Sequence, residues 1–346
     1  MSEMQQVLSA DAAAVDCDSL GLDDNRLARL YEAMATTRAV DERSRRLHLD
    51  GEIDFYVASR GLEAVACGAA YALESPDWLF PSQRDVGMYL LRGGSLRSWF
   101  DQLFGNVADL AKGRQLPGLA SLPEGRFVSV SGRVGTQITH AVGCAAAIKA
   151  RGDAACALAS FGEAATTTAD YPAALAIAAR LRVPAVLVCR STQRPASAEV
   201  GAAASLADRA RDLGLGAARV DGSDALAIFA AAREARQTAV NGGGTTLIEA
   251  VVSRAAMFGE ADGADDVAPD HDPLHRLREF AEHSGWWMAA REEDLSARLR
   301  ERIDEAVDSA RAEERPGPSE MFDDVYAEMP WMLQEQRERL LGGGDS

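Results

Sequence analysis

The residues best placed to do chemistry lie between Phe161 and Thr192, in the run FGEAATTTADYPAALAIAARLRVPAVLVCRST. Glu163 follows an apolar run and a glycine, and Thr192 follows the next apolar run, 29 residues later. If the two runs are neighbouring parallel strands, the carboxylate and the hydroxyl emerge side by side at the carboxyl edge of a sheet. Ligands of open α/β sheets collect at that edge, and paired hard oxygens there suit Mg²⁺ and a diphosphate held by it. The same Gly-Glu turn is equally a plain helix start, with the acid favoured by the helix dipole, so spacing alone leaves both readings open.

The surrounding pattern supplies the elements that would position this pair. Apolar runs at Phe127–Val130, Ala155–Ala159, Ala185–Cys189 and Thr246–Val252 alternate with helical segments, one of them over about Asp224 to Val240. Such alternation predicts an α/β fold, a twisted parallel sheet covered by helices on both faces. Upstream, Leu27, Leu30, Tyr31, Met34 and Ala35 follow the 3.6-residue period and predict one long helix over Asp24–Leu49. Gly61–Leu73 is small and apolar, reads as a buried helix, and ends at Glu74-Ser75-Pro76. Gly259–Asp270 reads as an exposed acidic loop, His271–Ala310 returns to a helical pattern containing Trp286-Trp287, and Arg315–Pro318 links to a helical tail. The expected organisation is a disordered arm over 1–22, an α/β domain over 23–270 and a helical C-terminal region over 271–346.

Length and composition bound the function. A chain of 346 residues, 47% hydrophobic and 26% charged, is ordinary globular protein and long for one core, predicting a large α/β domain with a smaller appended piece. A net charge of −17 would repel a nucleic-acid backbone or an anionic membrane, so neither is an expected partner. Cys17, Cys67, Cys144, Cys156 and Cys189 form no C-x-x-C pair, and Glu3, Asp11 and Asp16 stand where a secretory signal carries positive charge. Those features predict a reduced, cytoplasmic protein.

Longer stretches carry a resemblance. FPSQRDVGMYL (80–90), FGNVADLAKGRQLP (104–117), GTQITHAVGCA (135–145), LIEAVVSR (247–254), PLHRLREFAEHSGWW (273–287) and MFDDVYAEMP (321–330) resemble the alpha subunit of branched-chain 2-oxo acid dehydrogenase, its decarboxylase component. The resemblance runs from about Leu22 to Pro330. It implies the thiamine-diphosphate-binding fold and an α2β2 tetramer. In that assembly the alpha subunit holds the diphosphate and Mg²⁺, the beta subunit supplies the activating glutamate, and the acyl product passes to a lipoyl acyltransferase core.

Residue by residue, Gly162-Glu163-Ala164 stands at the family's Gly-acid-Gly turn, with Ala165 following at the same cofactor-binding turn. Arg190 and Arg84 match diphosphate-binding arginines, although Gln83 replaces the Tyr before the latter. Without the resemblance each would read as a surface ion pair. Ser191-Thr192 stands where the family has Asn-Asn, so the implied Mg²⁺ ligands are Glu163, Thr192 and the Arg194 backbone carbonyl. Gly132 and Val134 match cofactor contacts in a loop where Gly132-Arg133-Val134 replaces Ser-Pro-Leu. Ser131, Thr136 and Gln137 match a structural potassium site, and Gly135-Thr136-Gln137 is also simply a helix start. The family's proton-transferring His corresponds to Phe258, in Ala-Ala-Met257-Phe258-Gly259, and none of the five histidines (His48, His140, His271, His275, His283) reads as its replacement. Two outcomes are therefore expected, a working alpha subunit or a non-catalytic paralogue that pairs with a beta subunit. The small-residue helices Gly61–Leu73, Thr136–Ala150 and Ala173–Ala179 suit close packing at such an interface.

Overall fold

A computed structural model describes residues 3–8, 17–192, 205–253 and 268–342. Among these residues the sheet contains β1 (Trp78–Phe80), β2 (Ala157–Gly162), β3 (Ala185–Thr192), β4 (Gly216–Asp221) and β5 (Thr246–Val252). The strands run in the order β1-β2-β3-β5-β4, every pair parallel, with Gly162 beside Arg190 and Thr192 beside Val252 at the carboxyl ends. The central strand β3 is buried along its whole length, so it reads as a continuous apolar run until its last three residues.

Alternate side chains of each strand enter two cores. Leu158, Val186, Val188, Ile248 and Ala250 face α1 (Asp24–Leu49) and α2 (Glu63–Tyr71) together with a later helix over Ala225–Val240. Ala157, Ala159, Phe161, Leu187 and Cys189 face the helices over Thr136–Arg151 and Asp170–Leu181. In chain order the remaining helices are α3 (Val86–Leu91), α4 (Leu96–Phe104), α5 (Thr136–Arg151), α6 (Asp170–Leu181), α7 (Leu206–Asp212), α8 (Ala225–Val240), α9 (Pro273–His283), α10 (Ala289–Ala312) and α11 (Trp331–Gly342). Small residues decide how closely α2 and α8 approach. A Cβ on Gly68 would stand 2.9 Å from the Ala225 carbonyl oxygen.

The C-terminal helices dock onto α1 through the Trp pair. Tyr31 packs edge-on against Trp287 at 4.6 Å between ring centroids, and the Tyr31 hydroxyl and Trp287 Nε1 both donate to Glu292 Oε2 at 2.9 Å. None of these described helices is long and apolar enough to cross a membrane.

Three expectations need correction. Phe127–Val130 is not a strand of the sheet: it makes a single parallel bridge to Leu79, because the backbone turns at Arg126 with φ +51°. The strand at that edge is β1, too short to stand out in the sequence. Second, the N-terminal arm is not loose where it is described. Gln5 bridges Val220 of β4, the Val7 and Leu8 N–H groups donate to Asp224 Oδ2 at 2.7 and 2.6 Å, and Arg276 Nη2 donates to the Leu8 carbonyl at 2.6 Å. An exposed strand edge and a buried carboxylate supply the partners that the arm's own sequence does not advertise. Leu22 is buried as well. Third, α2 is enclosed within the chain and presents no face for a partner. The acidic loop expected over Gly259–Asp270 and residues 9–16 of the arm lie largely or wholly outside the described residues.

Candidate functional site

Strand alternation puts Arg190 and Thr192 on one face of β3, and the register places Gly162 of β2 beside Arg190. The chain leaves β2 at Gly162, whose φ of −91° is open to any residue, and enters a short 3₁₀ helix over Glu163–Thr167 rather than an α-helix. This tight turn swings the Glu163 side chain over the end of β3. Thr192 Oγ1 donates to Glu163 Oε1 at 2.7 Å and the Thr192 N–H donates to Oε2 at 2.8 Å. The two residues predicted to share a cation are therefore in contact at the carboxyl edge of the sheet. Ala164, in place of a glycine, has no left-handed backbone and is exposed, so the extra methyl strains nothing.

Arg190 is buried, with 2% of its side chain exposed, and is not a surface ion pair. Its Nη1 donates to Asp85 Oδ1 at 2.7 Å and its Nη2 to Ser82 Oγ at 2.6 Å, while the buried Nε finds no acceptor. Asp85 is fixed by four donors in all, since Ser160 Oγ also reaches Oδ1 at 3.1 Å and the Ser82 N–H and Oγ reach Oδ2 at 2.7 and 2.8 Å. Burial and then the neighbouring Arg190 guanidinium hold Arg84 down to about 10, while Asp41, Asp85 and Tyr56 pull the other way. Two guanidinium groups thus face each other around one buried carboxylate, an arrangement that an anion would complete.

The loop ahead of α5 lies alongside. Thr136 Oγ1 donates to Ser131 Oγ at 2.8 Å, the Arg133 N–H reaches the same Ser131 oxygen at 3.1 Å, and Gln137 Nε2 donates to the Ser160 carbonyl at 3.2 Å. Ser160 therefore joins the Gln137 side of this loop to the Asp85 and Arg190 network. Gly135 is required here: its φ is +93°, and a Cβ would stand 2.5 Å from Thr168 Oγ1. Gly132 and Val134 are exposed at the loop surface, Val134 by 59%, whereas Ala165 is buried in the core and contributes packing. Arg133 is also exposed, with no contact of its side chain to the oxygen cluster among the described bonds. Arg194 and Phe258 lie outside the described residues.

The donor set fits the groups that the resemblance implies. No cluster of three or more His, Cys, Asp or Glu side chains stands among the described residues, so a cation here would need a mixed oxygen set, and Glu163 with Thr192 supplies its first two members. The neighbouring guanidinium groups of Arg190 and Arg84 point to a phosphate rather than to a second cation.

Residues 31–319 match the family model described as Dehydrogenase E1 component. The chain belongs to this family. Among its relatives, the Arabidopsis thaliana protein named 2-oxoisovalerate dehydrogenase subunit alpha 2, mitochondrial, is 32% identical over 96% of this chain and 76% of its own length. The human 2-oxoisovalerate dehydrogenase subunit alpha, mitochondrial, is 32% identical over 92% of this chain and 74% of its own, and the mouse protein 33% over 92% and 75%. Within the E1 component fold, the sequence located Glu163, Thr192, Arg84 and Arg190 but passed over Ser82, Asp85 and Ser160. Ser82 and Asp85 were legible in principle, as polar residues flanking Arg84 in FPSQRDVG, directly after a strand.

Proposed function

We propose that this chain is the alpha subunit of a branched-chain 2-oxo acid dehydrogenase decarboxylase component, binding thiamine diphosphate with Mg²⁺ and working with a beta subunit and a lipoyl acyltransferase core. The observation that carries the reading is the contact between Glu163 and Thr192 beside the Arg84 and Arg190 pair, at the carboxyl edge of a parallel sheet. Thiamine diphosphate, when bound, supplies the carbanion chemistry of decarboxylation. This chain's own work is binding and orientation. Glu163 and Thr192 offer oxygens to Mg²⁺, and Arg190 and Arg84 neutralise phosphate charge in a buried setting where each contact counts for more than in water. Ser131, Thr136 and Gln137 bring oxygens to a single loop, which supports a structural potassium ion there.

Thr192 also supports the second reading, a non-catalytic partner of the beta subunit. Its hydroxyl is shorter than a carboxamide and already donates to Glu163, so holding a metal requires that hydrogen bond to turn away. Calorimetric titration of thiamine diphosphate and Mg²⁺ into the complex with a coexpressed beta subunit, followed by decarboxylation assays on branched-chain 2-oxo acids, separates the two. Binding with turnover establishes the enzyme. If binding is absent, or if turnover is absent and does not appear in a Thr192→Asn, Phe258→His double variant, the interaction role stands. The scattered cysteines, with no C-x-x-C pair, support residence in a reducing compartment, with the cytoplasm as the reading proposed from the sequence.

A further inference from the structure

The Asp85 carboxylate sits in the middle of the positive site with no exposed surface, and charge counting alone makes it a hindrance to an incoming anion. Its hydrogen bonds say otherwise. Resting on the reading above, we infer that Asp85 is a positioning residue: together with Ser82 it fixes the plane of the Arg190 guanidinium at the site of the cofactor's diphosphate.

A guanidinium has five N–H donors in a rigid plane, and two points fix that plane. Here the points are Asp85 Oδ1 on Nη1 and Ser82 Oγ on Nη2, at 2.7 and 2.6 Å. The carboxylate is itself unable to swing. Ser160 Oγ on β2 holds Oδ1, and the Ser82 N–H and Oγ hold Oδ2, so the strand that leads into Glu163 and the turn that carries Arg84 both fix the same carboxylate. Of the three N–H donors left over, the one on Nε is buried without an acceptor. Leaving a charged donor unmatched is costly in a sheet interior, so the orientation of the group rests on its two partners at Nη1 and Nη2. Asp85 thus offsets part of the charge of the site and in return holds the geometry, because a long flexible arginine pointing at random would lose rotamer freedom each time it bound.

The two roles predict opposite signs. If Asp85 were only opposing charge, Asp85→Asn would tighten anion binding; if it positions Arg190, the same change loosens it. The measurement is calorimetric titration of inorganic pyrophosphate, and separately of thiamine diphosphate with Mg²⁺, into the complex of this chain with a coexpressed beta subunit. Thermal unfolding of each variant is recorded without ligand. Asp85→Asn is expected to weaken both ligands ~10- to 100-fold, the size of one lost charge-assisted hydrogen bond, and Ser82→Ala to weaken them by a smaller factor in the same direction. Because Asp85 acts through Arg190, Asp85→Asn added to Arg190→Ala should produce no further loss. Tighter or unchanged binding in Asp85→Asn, or losses that add to those of Arg190→Ala, would overturn the inference. Should Asp85→Asn unfold, Ser82→Ala with and without Arg190→Ala gives the same test without removing a buried charge. A wild-type complex that binds neither pyrophosphate nor thiamine diphosphate would overturn the underlying reading instead, a result distinguishable because it needs no variant.

Discussion

Arg84 shows how the site is tuned by its surroundings. Arginine ordinarily keeps its charge far above any working pH, but burial and the adjacent Arg190 guanidinium lower Arg84 to about 10. A lowered value in a base means that the protonated form is disfavoured in the fold. The positive charge that attracts phosphate is therefore fully present below about 10 and is lost as pH rises through that value, well before a solvated arginine would titrate. Pyrophosphate affinity, measured by calorimetry on the α/β complex, should be flat through the neutral range and decline as pH approaches 10. A bound phosphate favours the charged form, so saturating ligand should push the decline upward. A profile that falls between pH 6 and 8 would instead assign the dependence to another group. Glu163 and Thr192 form the complementary half of the site, where an oxygen pair waits within one hydrogen bond of each other.

At the scale of elements, the site depends on how the segment before α5 meets the turn after β2. Gly135 begins α5 with φ +93°, and the Thr168 hydroxyl leaves no room for a side chain there. Gly135→Ala adds a methyl 2.5 Å from Thr168 Oγ1 in a backbone region that L-residues avoid. The variant should lose on the order of 1–3 kcal/mol, readable as a lower thermal midpoint. It should also disturb the contact of Thr136 with Ser131, weakening any cation bound there. A Gly135→Ala protein as stable as wild type would show that the 3₁₀ turn yields to the helix, and that this junction does not set the site. The N-terminal segment is a second case of one element completing another. Gln5 pairs with Val220 near the carboxyl end of β4, and residues 6–8 meet Asp221, Asp224 and Arg276, so that end of the open sheet edge is covered by an N-terminal segment.

For the whole molecule, the distribution of small residues separates internal packing from surfaces available to a partner. α2 is spent inside the chain against α8, but α5 and α6 keep exposed small faces, with Gly143 and Ala147 on one and Ala173, Ala176 and Ile177 on the other. A Cβ on Gly143 would meet nothing within 4 Å. Gly143→Leu should therefore leave the isolated chain intact and even stabilise α5 by roughly 0.5–1 kcal/mol, since glycine is a poor helix former. The same leucine should block close approach of a beta subunit. Light scattering after size exclusion of the coexpressed subunits is expected to show loss of the α2β2 species in this variant and not in wild type. Unchanged assembly would remove the α5 face from the interface. A neutral partner face also suits a chain carrying a net charge of −17, whose like-charged copies repel one another over most of their surface.

The sequence by itself determined what is local. Asp24–Leu49 and Thr246–Val252 could be read to the residue, because a helix stripe and a buried strand each carry their period in neighbouring residues. Glu163 and Thr192 were legible for the same reason: each closes a strand in a βαβ unit, and parallel pairing of adjacent units brings the strand ends together. Tertiary structure decided the rest. β4 escaped notice because an edge strand exposed on one side has no continuous apolar run, and Phe127–Val130 looked like a strand because it is a short apolar run, although its backbone makes only isolated bridges to Leu79 and Leu122. Arg190, which matched a diphosphate-binding arginine by resemblance and would otherwise have read as a surface ion pair, is locked to Asp85, 105 residues earlier, a pairing that no spacing rule reaches. The N-terminal arm, polar and aperiodic, found its order on the edge of β4 and on Asp224, more than 200 residues away. Local periods fix which backbone forms; which buried charge meets which is settled only when the chain has closed, because an unpaired charge in the core costs more than any local preference supplies.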